Sequence, residues 1–191
     1  MSQLSLFAAD AQPPSPADLE GLLAGPAQLA RRGDSARLSV RVDAWRADVL
    51  TAQLDIQLGI TAETVAGELS ESPVVRTPFL TALRPLAERW TRGSVKRTPD
   101  GWRLDGRRLW WWCVAAGRGY DGVGYTLALG AGDELVWPGV GAALAAAGLA
   151  AVFVGPRADG PAYRITGRRR LGRLRELVGD PPTGTPAHDW P

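Results

Sequence analysis

Residues 105–179 read DGRRLWWWCVAAGRGYDGVGYTLALGAGDELVWPGVGAALAAAGLAAVFVGPRADGPAYRITGRRRLGRLRELVG. Leu109, the run Trp110, Trp111 and Trp112, Val114 and Ala115 predict a helix closed by Gly117. Residues 125–129 alternate as a strand. Asp133, Leu135, Val136, Val140, Leu144 and Ala147 mark a longer helix. Residues 151–154 and 162–165 predict two further strands, and residues 168–178 a final helix.

The same order can be read once before, from Leu19 to Trp90. Gly59 closes the long helix of the first half as Gly148 does in the second. Gly67 and Gly155 follow the next strand, and Thr77 and Thr166 precede the last helix. A fixed spacing between paired landmarks is the signature of one supersecondary unit repeated. The expected organisation is a disordered segment 1–16, a domain 17–179 made of repeats at about 17–91 and 105–179, and a disordered proline-rich tail 180–191.

Outward from that stretch, a chain of 191 residues has enough apolar surface to fold without staples. One cysteine, Cys113, excludes an internal disulfide and a cysteine-based zinc cluster. The one histidine, His188, sits in the tail, so acid, base or metal chemistry would rest on carboxylates, and no cofactor is expected. No apolar run reaches the length needed to span a bilayer, and no signal peptide is visible, so a soluble, cytoplasmic protein is expected. Residues 92–175 hold 14 Lys/Arg against 6 Asp/Glu, whereas residues 1–91 hold 8 against 11. That asymmetry predicts an anionic partner met by the second half.

In the first half, Leu19, Leu22 and Leu23 make an apolar stripe interrupted by Pro26, while Gly21, Ala24 and Gly25 leave one helix face small. Leu38, Val40 and Val42 alternate with Arg37, Ser39 and Arg41, a half-buried strand whose exposed face is basic. Asp43 caps a helix ended by Gly59. Short strands at 61–66 and 74–77 precede a helix starting at Pro78 and carrying Leu83, Leu86 and Trp90. Trp45, Trp90, Trp110 and Trp112 fall at helical spacing with leucines, which predicts core rather than base-stacking roles.

Ahead of the flexible segment stands Gln3, Leu4, Ser5, Leu6, Phe7, an apolar cluster too isolated to join the core. All five positions match the pattern Gln-Leu-(Ser/Asp)-Leu-Phe, and the segment resembles the sliding-clamp-binding peptide of bacterial replication and repair proteins. The resemblance implies that Leu6 and Phe7 fill the clamp's hydrophobic pocket, Leu4 a neighbouring depression, and Gln3 a hydrogen bond at its rim. Anchors worth about 2 kcal/mol each give a weak, exchangeable contact. Nine linker residues reach at most roughly 30 Å, which would hold the folded body close to duplex DNA threaded through the clamp.

The doubled order is similar to the single-chain LAGLIDADG homing-endonuclease fold, an α+β fold whose two motif helices pack at a pseudo-two-fold axis and whose sheets form a saddle over DNA. Tyr163, Arg164, Ile165, Thr166, Gly167, Arg168 and Arg169, followed by Leu171, Leu174 and Leu177, resemble more closely the catalytically silent domain of WhiA-type regulators. Laid on that pattern, Pro26 and Ala116 stand where the metal-binding acids belong. Without those carboxylates no Mg²⁺ is clamped for hydrolysis. Asp34 and Asp121, just ahead of the first strand of each half, are the alternative metal pair, although both stand in turn-forming contexts. The resemblance implies that Arg37, Arg41 and Arg164 face the duplex, with Lys96 and Arg97 in the connector and Arg168, Arg169 and Arg170 at a helix start able to reach phosphate. The expectation is a monomeric, non-catalytic protein that binds double-stranded DNA and the sliding clamp. The alternatives are a clamp-recruited endonuclease using Asp34 and Asp121, and a pure adaptor on the clamp.

Overall fold

A computed structural model of the chain describes residues 13–67, 72–156 and 160–191. The two halves have one topology. In the first, β1 (Gln28–Arg32), β2 (Ser35–Arg41), β3 (Glu63–Val65) and β4 (Val74–Arg76) form an antiparallel sheet in the order β1-β2-β4-β3. The second half builds the same order from β7 (Gly117–Tyr120), β8 (Gly124–Ala128), β9 (Val152–Val154) and β10 (Ala162–Thr166), as β7-β8-β10-β9. A small hairpin of β5 (Thr91–Arg92) and β6 (Val95–Lys96) lies in the connector. The helices are α1 (Glu20–Ala24), α2 (Ala44–Leu58), α3 (Arg84–Trp90), α4 (Gly106–Ala116), α5 (Trp137–Ala146) and α6 (Arg168–Val178). The fold is therefore a duplicated α+β unit, and the long helices α2 and α5 follow the hairpins as the repeat requires.

Helices α1 and α4 cross at the centre of the molecule. A Cβ at Gly21 would fall onto the Arg108 carbonyl, and one at Gly25 would come within 2.8 Å of the Trp112 ring. Small residues on α1 thus let the two backbones meet, while Trp111 and Trp112 of α4 are fully buried around the crossing. The Glu20 carboxylate, itself buried, accepts from Trp102 Nε1 at 2.9 Å and Arg108 Nε at 2.8 Å, and pairs with Arg89 at 2.7 Å. Trp90 also lies in this core, and Trp45 and Trp110 pack against it partly buried. No helix among the described residues is long and apolar enough to cross a membrane.

Four expectations are corrected. Strands β1 and β7 open the two sheets, although neither Gln-Leu-Ala-Arg-Arg nor Gly-Arg-Gly-Tyr alternates as a half-buried strand should. Both are edge strands held by hairpin geometry: Gly33 takes φ 58° in a two-residue turn, and Asp121 and Gly122 take φ 44° and 66° in the three-residue turn of the second hairpin. The last helix of the first half begins at Arg84 rather than Pro78, because Leu80 is drawn into a bridge with Ala36 by hydrogen bonds of 3.0 and 2.9 Å. The long second-half helix begins at Trp137, since Asp133 is engaged elsewhere, and Pro138 starts it in the first turn. The tail 180–191 is docked. A 3₁₀ turn at Ala187–Asp189 packs on β7, Trp190 Nε1 donates to the Gly179 carbonyl at 2.9 Å, and Asp189 is buried.

Candidate nucleic-acid interface

Cross-strand register decides which side chains turn away from the helices. In the first sheet Leu38, Val40 and Val75 point to the core. The opposite face therefore carries Arg32, Arg37, Ser39, Arg41 and Arg76, with Ser39 directly between Gln28 and Arg76. In the second sheet Tyr125, Leu127 and Ile165 point inward, and Arg118, Thr126 and Arg164 form one outward row.

These arginines are held by aromatic rings. The Arg32 and Arg37 guanidinium carbons lie 4.3 and 4.6 Å from the centroid of the Phe79 ring, and that of Arg164 lies 3.7 Å from the Tyr120 ring. A guanidinium stacked on a π face keeps its in-plane N–H groups for another acceptor. The Nε atoms of Arg37, Arg76 and Arg164 are buried and have no hydrogen-bond partner among the described residues. Buried donors without an acceptor are costly and uncommon in folded proteins, and a phosphate or base edge would supply the missing acceptor. A cleft of about 430 Å³ opens on the same face, lined by Gln28, Ser39, Arg41 and Arg76 opposite Val65 and Val74.

The predicted contacts are distributed unevenly. Arg37, Arg41 and Arg164 stand on the outward faces. Arg97 is part-exposed in the connector and pairs with Asp100 at 3.7 Å. Lys96 is a correction: it is buried, and no phosphate reaches it. The excess of basic residues in the second half is also redistributed. Among the described residues its outward sheet face holds Arg118 and Arg164, and Arg118 is already paired with Asp43 at 3.1 Å and Asp189 at 3.7 Å. The first sheet is the more basic of the two, contrary to the expectation from charge counts. Arg168, Arg169 and Arg170 are exposed at the start of α6, which packs on α4 through Leu174, Leu177 and Val178. Arg32, Arg76, Phe79 and Tyr120 were missed. Arg76 was legible from alternation around Val75, whereas the ring contacts join residues far apart in the chain.

The ends of the crossing helices carry internal cations. Lys96 Nζ donates to the Gly25 carbonyl at 2.9 Å and the Ala27 carbonyl at 2.8 Å beyond α1, and pairs with Asp133 at 2.7 Å. The Asp133 carboxylate also accepts from Gln28 Nε2. Arg46 of α2 donates to the Cys113 carbonyl at 3.2 Å, the Val114 carbonyl at 2.7 Å and the Gly117 carbonyl at the end of α4, and faces Asp189 at 3.6 Å. Free carbonyls at a helix C-terminus carry partial negative charge, and each helix meets it with a buried side-chain cation. Burial depresses the Lys96 ammonium below its ordinary value while Asp133 opposes the shift, and it lowers Arg46 likewise against Asp189.

Asp34 and Asp121, the alternative metal pair, are turn residues of hairpins in separate sheets, and Asp34 is exposed and paired with Arg84. Among the described residues no group of three His, Cys, Asp or Glu side chains is placed to hold a metal. Gln3, Leu4, Ser5, Leu6 and Phe7 lie outside the described residues.

No protein-family model and no curated protein matches the chain. Among solved structures it is similar to the homing endonuclease I-WcaI bound to its DNA recognition sequence, with a TM-score of 0.58 over 87% of this chain and 82% of that one. Identity is 14%, so the likeness is one of fold.

Proposed function

We propose that this chain is a non-catalytic DNA-binding protein that lays duplex DNA across the outward faces of its two sheets. One observation carries this: guanidinium groups on three strands, two of them stacked on rings, whose buried Nε donors lack an acceptor among the described residues. The fold is compatible with that use, because the solved neighbour of like fold is described bound to DNA. Three phosphate contacts predict a log–log salt slope near −2.7, so affinity should fall roughly fortyfold between 50 and 200 mM salt. Fluorescence anisotropy with a labelled duplex measures this, and an affinity indifferent to salt would count against the assignment.

The absence of catalysis is supported by what stands at the helix ends. Pro26 and Ala116 offer no carboxylate there, and the carboxylates that reach those ends from elsewhere, Asp133 and Asp189, are already paired with Lys96 and Arg46, which place positive charge against the carbonyls. A divalent cation would have to enter beside a buried cation of the same sign. Plasmid incubated with Mg²⁺ or Mn²⁺ should stay supercoiled. Cutting that Asp34→Asn and Asp121→Asn abolish would replace this proposal with the endonuclease.

Recruitment to the replication sliding clamp belongs to the same proposal and rests on the five-residue match Gln3, Leu4, Ser5, Leu6, Phe7. Two weak contacts, one to the clamp and one to its DNA, reinforce each other through effective concentration, which suits a role in replication or repair. A peptide of residues 1–10 should bind purified clamp, and Leu6→Ala with Phe7→Ala should abolish binding.

A further inference from the structure

Register sets equivalent rows on the outward faces of the two sheets. In the first, Gln28, Ser39, Arg76 and Glu63 stand side by side across the four strands. In the second, the same places hold Arg118, Thr126, Arg164 and Val152. The rows share a hydroxyl and an arginine, which suit a phosphate backbone. They differ at both ends, where the first sheet alone has an amide and a carboxylate. Its neighbouring row is largely apolar, with Val74 between Arg41 and Val65. The cleft of about 430 Å³ spans these two rows, and Pro26 and Ala66 extend its apolar wall.

Gln28 is not free to turn its amide. Its Nε2 donates to both oxygens of Asp133, at 3.1 and 2.9 Å, and Asp133 is the counterion of Lys96 at 2.7 Å. An ionised carboxylate only accepts, so the amide gives it the nitrogen and keeps its carbonyl oxygen for the cleft. On the other side of Ser39, the Arg76 guanidinium offers donors only, and its buried Nε has no partner among the described residues. One acceptor and one set of donors thus flank a hydroxyl beside an apolar wall.

We infer that this cleft is a binding site for an unpaired nucleobase, presented by a bulged duplex or by a single strand. The inference rests on the DNA-binding proposal for the sheets and adds a ligand site on the first sheet. A phosphate has acceptors only. It has no partner for the Gln28 carbonyl and no use for Val65 and Val74, and it meets the Glu63 carboxylate paired in register with Arg76. A nucleobase has an apolar face for the valines and an edge that both donates and accepts. Inside an intact duplex that face is covered by stacked neighbours, and drawing a paired base out forfeits its stacking and pairing. A matched duplex therefore lies across the arginines without filling the cleft, whereas an unpaired base enters it.

The test titrates the full chain, by anisotropy at one salt concentration, against four probes: a matched duplex, the same duplex with one extra unpaired base, that duplex with an abasic residue in place of the extra base, and the single strand. The bulged duplex should bind roughly tenfold more tightly than the matched one, and the abasic duplex no more tightly than the matched one. Val65→Trp fills the cleft, and Gln28→Met removes the carbonyl at similar length. Each should bring the bulged duplex within twofold of the matched one while matched-duplex affinity stays within threefold of the wild type, and a melting curve checks that each variant is folded. The two substitutions act on different walls, so the loss of one variant to unfolding leaves the other to decide. A base-bearing bulge bound no better than the abasic one overturns the inference, because the preference is then for a bent backbone. A bulged duplex bound no better than the matched one also overturns it and leaves the sheet proposal standing. A preference that survives both substitutions overturns it by placing the base elsewhere. A single strand bound as tightly as the bulged duplex supports it and identifies the strand as the source of the base, and wild type that binds none of the four probes removes both proposals.

Discussion

At Phe79 two guanidinium groups meet one ring, and at Tyr120 a third is stacked. If these rings orient the arginines for phosphate, Phe79→Ala and Tyr120→Ala should weaken duplex binding several-fold. Arg37→Ala and Arg76→Ala should each lower the salt slope by about one, uniformly across DNA sequences. Anisotropy at four salt concentrations reads both. Cys113 makes a different point. Burial pushes its thiol from 9.0 up to about 12, and burial likewise raises the Tyr125 phenol well above 10.0. Both groups ionise more readily in the unfolded chain, so the stability they contribute is whole below pH 9 and is lost as pH rises from 9 towards 12. Lys96 works in the opposite direction, since its folded-state value is depressed from 10.5. Burial raises the Tyr163 phenol as well, so with three groups against one the denaturation midpoint should fall above pH 9, and Cys113→Ala should soften that fall. In the native protein at pH 8, a thiol reagent should leave Cys113 unmodified until the chain unfolds.

Among the elements, the α1–α4 crossing is the most exacting contact. Gly21→Ala places a methyl on the Arg108 carbonyl, a backbone atom that cannot swing aside, and Gly106→Ala does the same at Leu177 where α4 meets α6. Either should cost about 1–3 kcal/mol or more, visible as a shift in urea midpoint. Gly172→Ala on the open face of α6 should be neutral or stabilising. The element order was legible because 3.6-residue and two-residue periods are local, and residues 37–42 showed their inward and outward faces without any structure. Strands β1 and β7 were not legible. Their residues carry no alternation and become strands only because β2 and β8 lie alongside, with turns at Gly33 and Asp121 setting the register.

Over the whole molecule, distant segments close on the two buried cations. Asp189 of the tail reaches Arg46 at 3.6 Å, and the Tyr125 hydroxyl donates to the Asp189 carbonyl at 2.9 Å. Removing residues 180–191 leaves Arg46 buried beside a lost partner. Breaking one side of a buried pair costs roughly 3–5 kcal/mol, so the truncated chain should melt well below the full one; equal melting would show that the tail is ornamental. Asp133→Ala should act similarly through Lys96, 37 positions away in sequence and 2.7 Å away in space.

The amino-acid sequence by itself determined the duplication, the helix and strand order, the basic outward face of residues 37–42 and the lack of acids at Pro26 and Ala116, because each follows from spacing along a short window. Only the tertiary structure decided that Lys96 is a buried counterion and not a surface contact, that the tail is docked, and that arginines stack on Phe79 and Tyr120. Those outcomes depend on where the chain returns to itself, and a lysine followed by arginine reads the same in a connector whether its ammonium meets water or two carbonyls and a carboxylate.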